Sequence, residues 1–388
     1  MAELTSRTGP VNITPHPTAL VQEYLRKHLR VFCELQELQR LGWENEQGDA
    51  YFQQQRQRAD HADAKAKIAF FDHMRHIGAE MDQATSALTI TPSSAARPAI
   101  LDLCMAPGGF SYAALLHNPT ALLYGITLPP SQGGHDLLIP NWASNPNIDV
   151  SFRDITMLAS ELGVDPPTIS PAHPDAAAFS ADRPFADRQF DLIFCDGQVL
   201  RTHDRVHAYR ESTREAARLL TAQLVLAMQR IRVGGTLVVL LHKAGTWSSL
   251  AMIHAVSGFA DVALFKPTRA HRTRSSFYMV ARNVRPGSGA AREAVDGWKA
   301  RWRAATFGEG QDLGGVFLGD VGDDKVEGVL KAFGSRFAEL AEPVFAVQAE
   351  ALRRAPFVRG GRNQRGGWNG SAGEGRADGR LGSGTSWR

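Results

Sequence analysis

Residues 100–111 read Ile100-Leu101-Asp102-Leu103-Cys104-Met105-Ala106-Pro107-Gly108-Gly109-Phe110-Ser111, and a second apolar run follows them. An apolar run, a Pro-Gly-Gly turn and another apolar run predict a buried strand that turns sharply into a helix. Gly108 and Gly109 lack Cβ atoms, so a ligand can approach the backbone amides at the start of that helix. The segment therefore predicts the first strand-to-helix turn of a nucleotide-binding α/β fold. Packing of the helix alone is the alternative reason for the glycines.

The turn disfavours two common nucleotide cofactors. Its glycines do not follow the G-x-G-x-x-G spacing of dinucleotide sites, and no Lys-Ser or Lys-Thr pair of a P-loop follows them. NAD and ATP are therefore poor candidates. A methyl donor with an amino-acid part and a nucleoside part remains the natural candidate.

Strands and helices alternate after this turn. The pattern predicts a mostly parallel sheet that is covered by helices on both faces and closed by a hairpin. The further predicted strands are residues 121–128, 148–155, 190–197, 236–241, 262–267 and 276–281. A helix is predicted over 209–232, with Gly234-Gly235 as its stop. Residues 165–186, rich in Pro, Ala and Asp, predict a mobile surface insertion.

The chain has 388 residues, more than one ordinary domain needs. Apolar residues recur at helical spacing over 18–58 and 62–81 and predict N-terminal helices. The apolar face of the second segment is formed by Ile68, Phe71, Met74 and Ile77. Further helices are expected near 293–305 and 325–354. The last residues are dominated by Gly and Arg, which cannot form a core and predict disorder. We therefore divide the chain into an N-terminal helical extension (1–95), a sheet-bearing domain (96–284), a C-terminal helical extension (285–357) and an Arg/Gly-rich tail (358–388).

Composition narrows the cellular setting. The formal net charge of +3 is too small to indicate a partner. Cys33, Cys104 and Cys195 are far apart and lack metal-ligand spacing, so we expect no metal site and a reducing compartment. No apolar run is long enough to span a bilayer. The sequence thus predicts an intracellular protein, cytoplasmic or nuclear, without membrane contact.

Two chemically useful residues follow predicted neighbouring strands. Asp196 ends the strand that begins at Phe190, and Lys243 follows the next strand. In an open parallel sheet these ends face the ligand crevice. A desolvated lysine there releases its proton easily and acts as a general base for a substrate hydroxyl, while Asp196 orients it. A buried ion pair with a structural role only is the alternative.

Three ordered motifs resemble the FtsJ/RrmJ family of S-adenosylmethionine-dependent RNA 2′-O-methyltransferases. They are residues 102–111, 190–197 and 234–243, and the resemblance extends over about 99–284. The chain is most similar to the fungal FtsJ-like group, through residues 125–130, 133–135, 196–198 and 274–278. The resemblance implies an α/β Rossmann-like methyltransferase fold with a mostly parallel seven-stranded sheet, S-adenosylmethionine as cofactor and RNA as partner.

The family carries a Lys-Asp-Lys-Glu tetrad, which this chain matches in part. Asp196 and Lys243 fall on the middle pair. Ser276 occupies the position of the final acid and cannot supply its charge. Asp72 stands near the position of the first lysine, and Lys67, about one turn earlier, is the nearest substitute.

The resemblance also implies a set of cofactor contacts. The donor is expected in the turn formed by Ala106, Pro107, Gly108 and Gly109, with Asp102, Phe110, Thr127, Asp154 and Asp196 around it. Asp154 is expected beside the adenine and Asp196 beside the methionine end. An ordinary strand-end cap is the alternative role for Asp154.

Basic segments suggest where RNA binds. Arg269, His271, Arg272 and Arg274 form a loop on the same sheet edge that suits phosphates, with a merely solvated loop as the alternative. Arg-Gly-Gly units with Trp368 bind RNA through charge and stacking in other chains, although such tails also serve solubility or protein binding. The helical extensions offer a surface for a protein partner.

We therefore expect methyl transfer from S-adenosylmethionine to ribose 2′-hydroxyls of RNA. Two alternatives stay open at this point. One is a noncatalytic cofactor-binding or RNA-binding member with a degenerate tetrad. The other is a methyltransferase that acts on a small molecule or a protein.

Overall fold

The computed structural model describes residues 17–45, 64–91, 97–199, 214–308 and 322–358. Predictions for the Arg/Gly-rich tail from residue 359 and for the helix over 46–58 lie outside these ranges. Seven strands form one sheet in the order β3-β2-β1-β4-β5-β7-β6. They are β1 Ala99–Leu103, β2 Leu122–Thr127, β3 Ile148–Phe152, β4 Phe190–Cys195, β5 Ile231–His242, β6 Asp261–Phe265 and β7 Ser276–Arg282.

The sheet has the predicted topology. Strands β1 to β5 are parallel, and β7 runs antiparallel between β5 and β6, so the mostly parallel sheet and the closing hairpin are confirmed. The chain proceeds from β1 to β2 and β3 on one side and places β4 and β5 on the other. In open α/β sheets the ligand crevice lies where the strand order reverses, which here is outside the carboxyl ends of β1 and β4.

Helices cover both faces of the sheet, because successive strand residues point to opposite sides. Ile100 packs with the core beneath α3 and α4, whereas Leu101 packs with the core beneath the other helices. The helices of the described residues are α1 Pro17–His28, α2 Arg30–Trp43, α3 Ala64–Thr85, α4 Gly109–His117, α5 Arg214–Arg230, α6 Trp247–Ser257, α7 Gly289–Phe307 and α8 Asp323–Arg353. In this part of the chain, none of the helices has the length and apolarity needed to cross a bilayer.

The two helical extensions pack against each other. The rings of Phe32 on α2 and Phe345 on α8 lie 4.9 Å apart, and a Cβ atom on Gly245 would lie 2.8 Å from the Phe32 ring. Helices α1 and α2 therefore bury apolar side chains against α8 and the end of β5, whereas α3 and α7 pack on the sheet-bearing domain. A protein partner for their outer surfaces stays a prediction.

Three local predictions differ from the structure. Helix α5 ends at Arg230, and Gly234, with φ +83°, lies at an irregularity within β5 rather than at a helix stop. The 165–186 segment is packed, because Ile169 and Phe179 bury their side chains in the core. Ile68 is 56% exposed, since the buried face of α3 begins one turn later, at Phe71.

Candidate active site

The glycine turn after β1 is closely covered by other parts of the chain. Gly108 has φ +97°, and a Cβ atom there would lie 2.7 Å from the side chain of Ile139. A Cβ atom on Gly109 would lie 2.6 Å from the Cβ atom of Met74 on α3. The packing role that the sequence left as an alternative is therefore present. The N-terminus of α4 still has no side-chain cap, so its first amides can serve a ligand.

Gly109→Ala is expected to destabilise the fold by about 1–3 kcal/mol, because the added methyl group overpacks the contact between α4 and α3. Gly297→Ala on α7 is the matched control, since a Cβ atom there meets nothing within 4 Å. Helix propensity predicts that this control is neutral or stabilising by up to about 1 kcal/mol. Denaturant unfolding measures both changes, and equal stability of the two variants would contradict the packing described.

Asp102 is the most unusual group at the carboxyl end of β1. Its side chain is 1% exposed; Oδ2 accepts a hydrogen bond from the Ser111 hydroxyl, and the buried Oδ1 has no partner in the described protein. Burial raises the pKa of Asp102 to about 7, and the Ser111 hydrogen bond opposes that shift in part. A buried acceptor without a donor is costly, so this oxygen is suited to a ligand donor.

Further carboxylates meet Asp102 where the strand order reverses. Burial, and then the nearby charge of Asp102, raises the pKa of Asp196 well above its usual range. Cys104 has φ +76°, an uncommon backbone conformation for a residue with a side chain. Burial, followed by the charges of Asp196, Asp102 and Asp154, raises the pKa of its thiol. The crevice is therefore acidic and suits a cationic ligand.

Gln223, which the sequence did not single out, holds the turn after β4. Its Oε1 accepts from the Gly197 amide at 2.8 Å, and its Nε2 donates to the Gly197 carbonyl at 3.3 Å. A Cβ atom on Gly197 would lie 2.5 Å from the Cys104 sulfur, so only glycine fits there. The Gln223 clamp thereby fixes the backbone beside Asp196. A glutamine inside a helix gives no sequence signal of this role.

Two predicted cofactor residues already make internal hydrogen bonds. The Thr127 hydroxyl accepts from the Ala106 amide at 3.3 Å and so ties β2 to the glycine turn. Oδ1 of Asp154 accepts from the amide and hydroxyl of Thr156 at 2.9 and 2.7 Å. Asp154 is thus the cap that the sequence offered as the alternative. Its contact with adenine stays a prediction.

Phe110 is placed differently from its prediction. Its ring is buried, with its centroid 5.7 Å from that of Phe194 and 5.5 Å from that of Tyr278. The ring belongs to the core under α4, so it does not line the crevice. Only its backbone amide, in the first turn of α4, remains for the cofactor.

Lys243 and Asp196 lie at the same sheet edge. Cys195 pairs with Val239, so Lys243 lies three residues past the level of Asp196, roughly 10 Å along the strand direction. Lys243 has φ +55°, its amide donates to the Ser275 carbonyl at 2.9 Å, and its side chain is exposed. Because the Lys243 side chain is exposed, its amine is desolvated only when substrates bind.

The remaining tetrad positions, Lys67 and Ser276, both make contacts within the protein. Lys67 on α3 forms an ion pair with Asp136 at 3.0 Å, with both side chains exposed. Ser276 is buried and pairs with His242 across β5 and β7. Strand alternation places the side chains of Ser276 and Tyr278 on one face.

Tyr278 is a second residue near Asp196 that the sequence did not single out. Burial, and then the charge of Asp196, raises the pKa of its phenol. Side chains two residues apart in a strand lie on the same face, so the position of Ser276 in the sequence could have indicated Tyr278.

The predicted basic loop joins β6 to β7, and Lys266 organises it. The buried Nζ atom donates to the carbonyls of His271, Arg274 and Ser276 at 3.2, 2.8 and 2.7 Å. Burial, followed by the charge of Arg274, lowers the pKa of Lys266 to about 7. Burial and the same arginine lower the pKa of His271 to about 3, so His271 is neutral at pH 7. A neutral imidazole still donates one hydrogen bond, so an RNA contact of His271 stays a prediction, and the arginines Arg269, Arg272 and Arg274 are exposed.

These features match a known sequence family. The sequence model of the FtsJ-like methyltransferases matches residues 79–284, more than half of the chain. The chain belongs to the FtsJ-like methyltransferase family. S-adenosylmethionine is therefore its cofactor, and the chain is a methyltransferase by family.

Several solved structures are similar to this chain at low identity. One described as a ribosomal RNA methyltransferase from Plasmodium falciparum is 16% identical, with 54% of this chain and 96% of that chain covered and a TM-score of 0.34. An O-methyltransferase family protein from Burkholderia thailandensis is 14% identical, with coverages of 66% and 73% and a TM-score of 0.32. Human methyltransferase-like protein 13 in complex with SAH is 14% identical, with coverages of 62% and 95% and a TM-score of 0.31. No curated protein matches the chain. At these TM-scores the neighbours carry no argument about function.

The crevice has groups that fit S-adenosylmethionine. The partnerless Oδ1 of Asp102 and the carboxylate of Asp196 suit the ammonium group of the methionine part. The uncapped amides of α4 suit its carboxylate. Among residues 17–45, 64–91, 97–199, 214–308 and 322–358, no group of three or more His, Cys, Asp or Glu side chains is arranged to hold a metal ion.

Proposed function

We propose that the chain transfers the methyl group of S-adenosylmethionine to the ribose 2′-hydroxyl of RNA. The observation that carries the proposal is the shared edge of Asp102, Asp196 and Lys243. An acidic crevice for a cationic donor lies there beside a strand end that presents an amine. The exposed arginines of the β6–β7 loop lie at the same edge and suit an RNA substrate.

Each residue has a stated role in the proposed reaction. Asp102 and Asp196 hold the ammonium group of the methionine part, and the α4 amides hold its carboxylate. The bound donor supplies an electrophilic methyl group on sulfur. Lys243 accepts the proton of the ribose 2′-hydroxyl. The hydroxyl oxygen bonds to the methyl carbon of the donor while the carbon–sulfur bond of the donor breaks. The products are a 2′-O-methyl ribose, S-adenosylhomocysteine and protonated Lys243.

When RNA covers the exposed Lys243 side chain, the amine is desolvated. Desolvation disfavours the charged ammonium form, so Lys243 is more often neutral and able to accept a proton. Alignment of the hydroxyl with the methyl group supplies much of the remaining rate enhancement. In this proposal Ser276 occupies the position of the final acid of the tetrad, and Lys67 substitutes for its first lysine. Lys67 contacts the acceptor only when its ion pair with Asp136 opens.

The finer assignments belong to the same proposal. Residues 125–130 and 274–278 support membership of the fungal FtsJ-like group. We place the boundaries between the sheet-bearing domain and its extensions at residues 95, 284 and 357. We also propose an intracellular location. The Arg/Gly-rich tail adds affinity for RNA.

Incubation with donor labelled in the methyl group tests the proposal. The full chain is mixed with total RNA or with RNA-free protein extract, and label is counted in each fraction. We expect label in RNA only. Label in the protein fraction alone, or in small molecules alone, would refute an RNA substrate.

A noncatalytic, donor-binding member is the second candidate. The observation that favours it is the state of the tetrad, in which Ser276 replaces the acid and Lys67 is paired with Asp136. Calorimetry with S-adenosylmethionine, combined with the labelled-donor assay, distinguishes the two. Donor binding without transfer to any RNA would support the second candidate.

A further inference from the structure

A groove lies between the β6–β7 loop and the end of α8. Its volume is about 300 Å³, and Arg269, Arg272 and Thr273 line one wall. Arg354, which follows the last residue of α8, and Phe357 line the other. Arg354 lies outside the family match at 79–284, so this wall is an addition to the FtsJ-like domain.

The groove is strongly basic. Its lining residues include three arginines and no carboxylate, and its histidine, His271, is neutral at pH 7 because its pKa is lowered to about 3. Arg354 forms an ion pair with Glu350 at 2.6 Å, yet its side chain is 64% exposed. A guanidinium carries five N–H donors, so Arg354 can bind a second acceptor. Planar guanidinium groups match the paired oxygens of a phosphate.

The two walls are held in a fixed relation. Nε2 of Gln348 on α8 donates to the Thr273 carbonyl at 3.3 Å. Lys266 braces the loop from inside through its three carbonyl acceptors. Glu80 accepts from the Thr268 amide and hydroxyl at 2.9 Å each, which ties the loop to α3. The arginines are therefore presented by an ordered frame, which lowers the entropy cost of binding.

The groove also adjoins the candidate active site. Ser276 at the end of the loop pairs with His242 on β5, and the Ser275 carbonyl accepts from the Lys243 amide. The loop that carries Arg269 and Arg272 therefore ends beside Lys243. The Arg/Gly-rich tail is not a candidate occupant, because arginines outnumber acidic residues in it.

We propose that this groove binds the phosphodiester backbone of the RNA substrate, with Arg354 of the C-terminal extension as one of its phosphate contacts. The inference rests on the proposed function, because it assumes RNA as the acceptor. It gives the C-terminal extension a direct part in substrate binding. An acidic polypeptide is the competing ligand and is included in the test.

Fluorescence anisotropy with a labelled single-stranded RNA of about 20 nucleotides tests the groove with the full chain. Arg354→Ala is compared with Arg336→Ala, which removes an arginine from the same helix with a similar ion pair, to Glu339 at 3.1 Å, and 57% exposure. Loss of one phosphate contact lowers the slope of log affinity against log salt by about 0.7 for a single strand. We expect that decrease, and roughly three- to tenfold weaker binding, for Arg354→Ala only.

Equal slopes for the two variants and the wild type would overturn the groove. Binding of polyglutamate as tight as that of RNA, with the same sensitivity to Arg354→Ala, would overturn RNA as the occupant. Calorimetry of S-adenosylmethionine is expected to be unchanged in Arg354→Ala. A lower slope in Arg354→Ala together with a wild type that methylates no RNA would refute the proposed function and leave RNA binding in the groove standing. Methylation of RNA with no slope difference would refute the groove alone.

Discussion

Lys243→Ala is expected to lower methyl transfer to RNA by about 10²–10⁴-fold, the usual contribution of a positioned general base. Its side chain is exposed at the end of β5, so its removal leaves the core unchanged. The affinity for S-adenosylmethionine is expected to stay the same, because Asp102 and the α4 amides hold the donor in the proposed site. Single-turnover transfer measures the rate, and calorimetry measures the affinity.

The controls separate chemistry from folding. Lys331→Ala removes an exposed lysine from α8 and should transfer at the wild-type rate. Lys243→Asn introduces a residue that adopts φ +55° readily, so it removes the amine without backbone strain. We expect this variant to be as inactive as the alanine variant. Wild-type rates in either Lys243 variant would remove this residue from the mechanism.

Asp102→Asn is expected to weaken donor binding by about 10- to 100-fold and to stabilise the protein without ligand. The affinity falls because an amide provides no charge for the ammonium group, and charge-assisted hydrogen bonds are roughly twice as strong as neutral ones. Calorimetry gives the affinity. Asp149→Asn, at an exposed position on β3, is the control and should bind the donor normally.

The stability gain follows from the raised pKa of Asp102. The unfolded chain releases this proton near the ordinary pKa of 3.8, whereas the folded chain retains it up to about 7. Stability therefore falls as the pH rises from about 4 through 7, and the cost of the buried charge is fully present above 7. Asp102→Asn removes that cost, so its Tm should exceed that of the wild type by roughly 2–5 °C at pH 8 and by less at pH 5. Equal pH dependence in the two proteins would contradict a buried, ionising Asp102.

The parts of the fold that depend on local pattern were predictable from sequence. Buried strands read as continuous apolar runs, and the turn of residues 104–109 marks the first strand-to-helix junction. The family motifs lie in that same sheet-bearing region. The packed 165–186 segment was not predictable, because Ile169 and Phe179 are isolated apolar residues whose burial depends on distant helices.

The site was predictable only where chemistry follows a strand end. Asp196 and Lys243 follow β4 and β5 directly and Asp102 is the penultimate residue of β1, so all three lie at the carboxyl edge of the sheet. Contacts between distant segments decided the rest. The Gln223 clamp joins residues 26 positions apart, and the neutral state of His271 arises from its burial beside Arg274.

Nucleoside analysis after reaction with a trideuteromethyl donor tests the central claim most directly. The full chain is incubated with RNA and the donor, the RNA is digested to nucleosides, and mass spectrometry locates the heavy methyl group. We predict heavy label on 2′-O-methyl nucleosides. We expect Lys243→Ala to produce no more than about one hundredth of the label that the wild type produces. Label on bases, or no labelled RNA from a protein that binds the donor, would contradict ribose methylation.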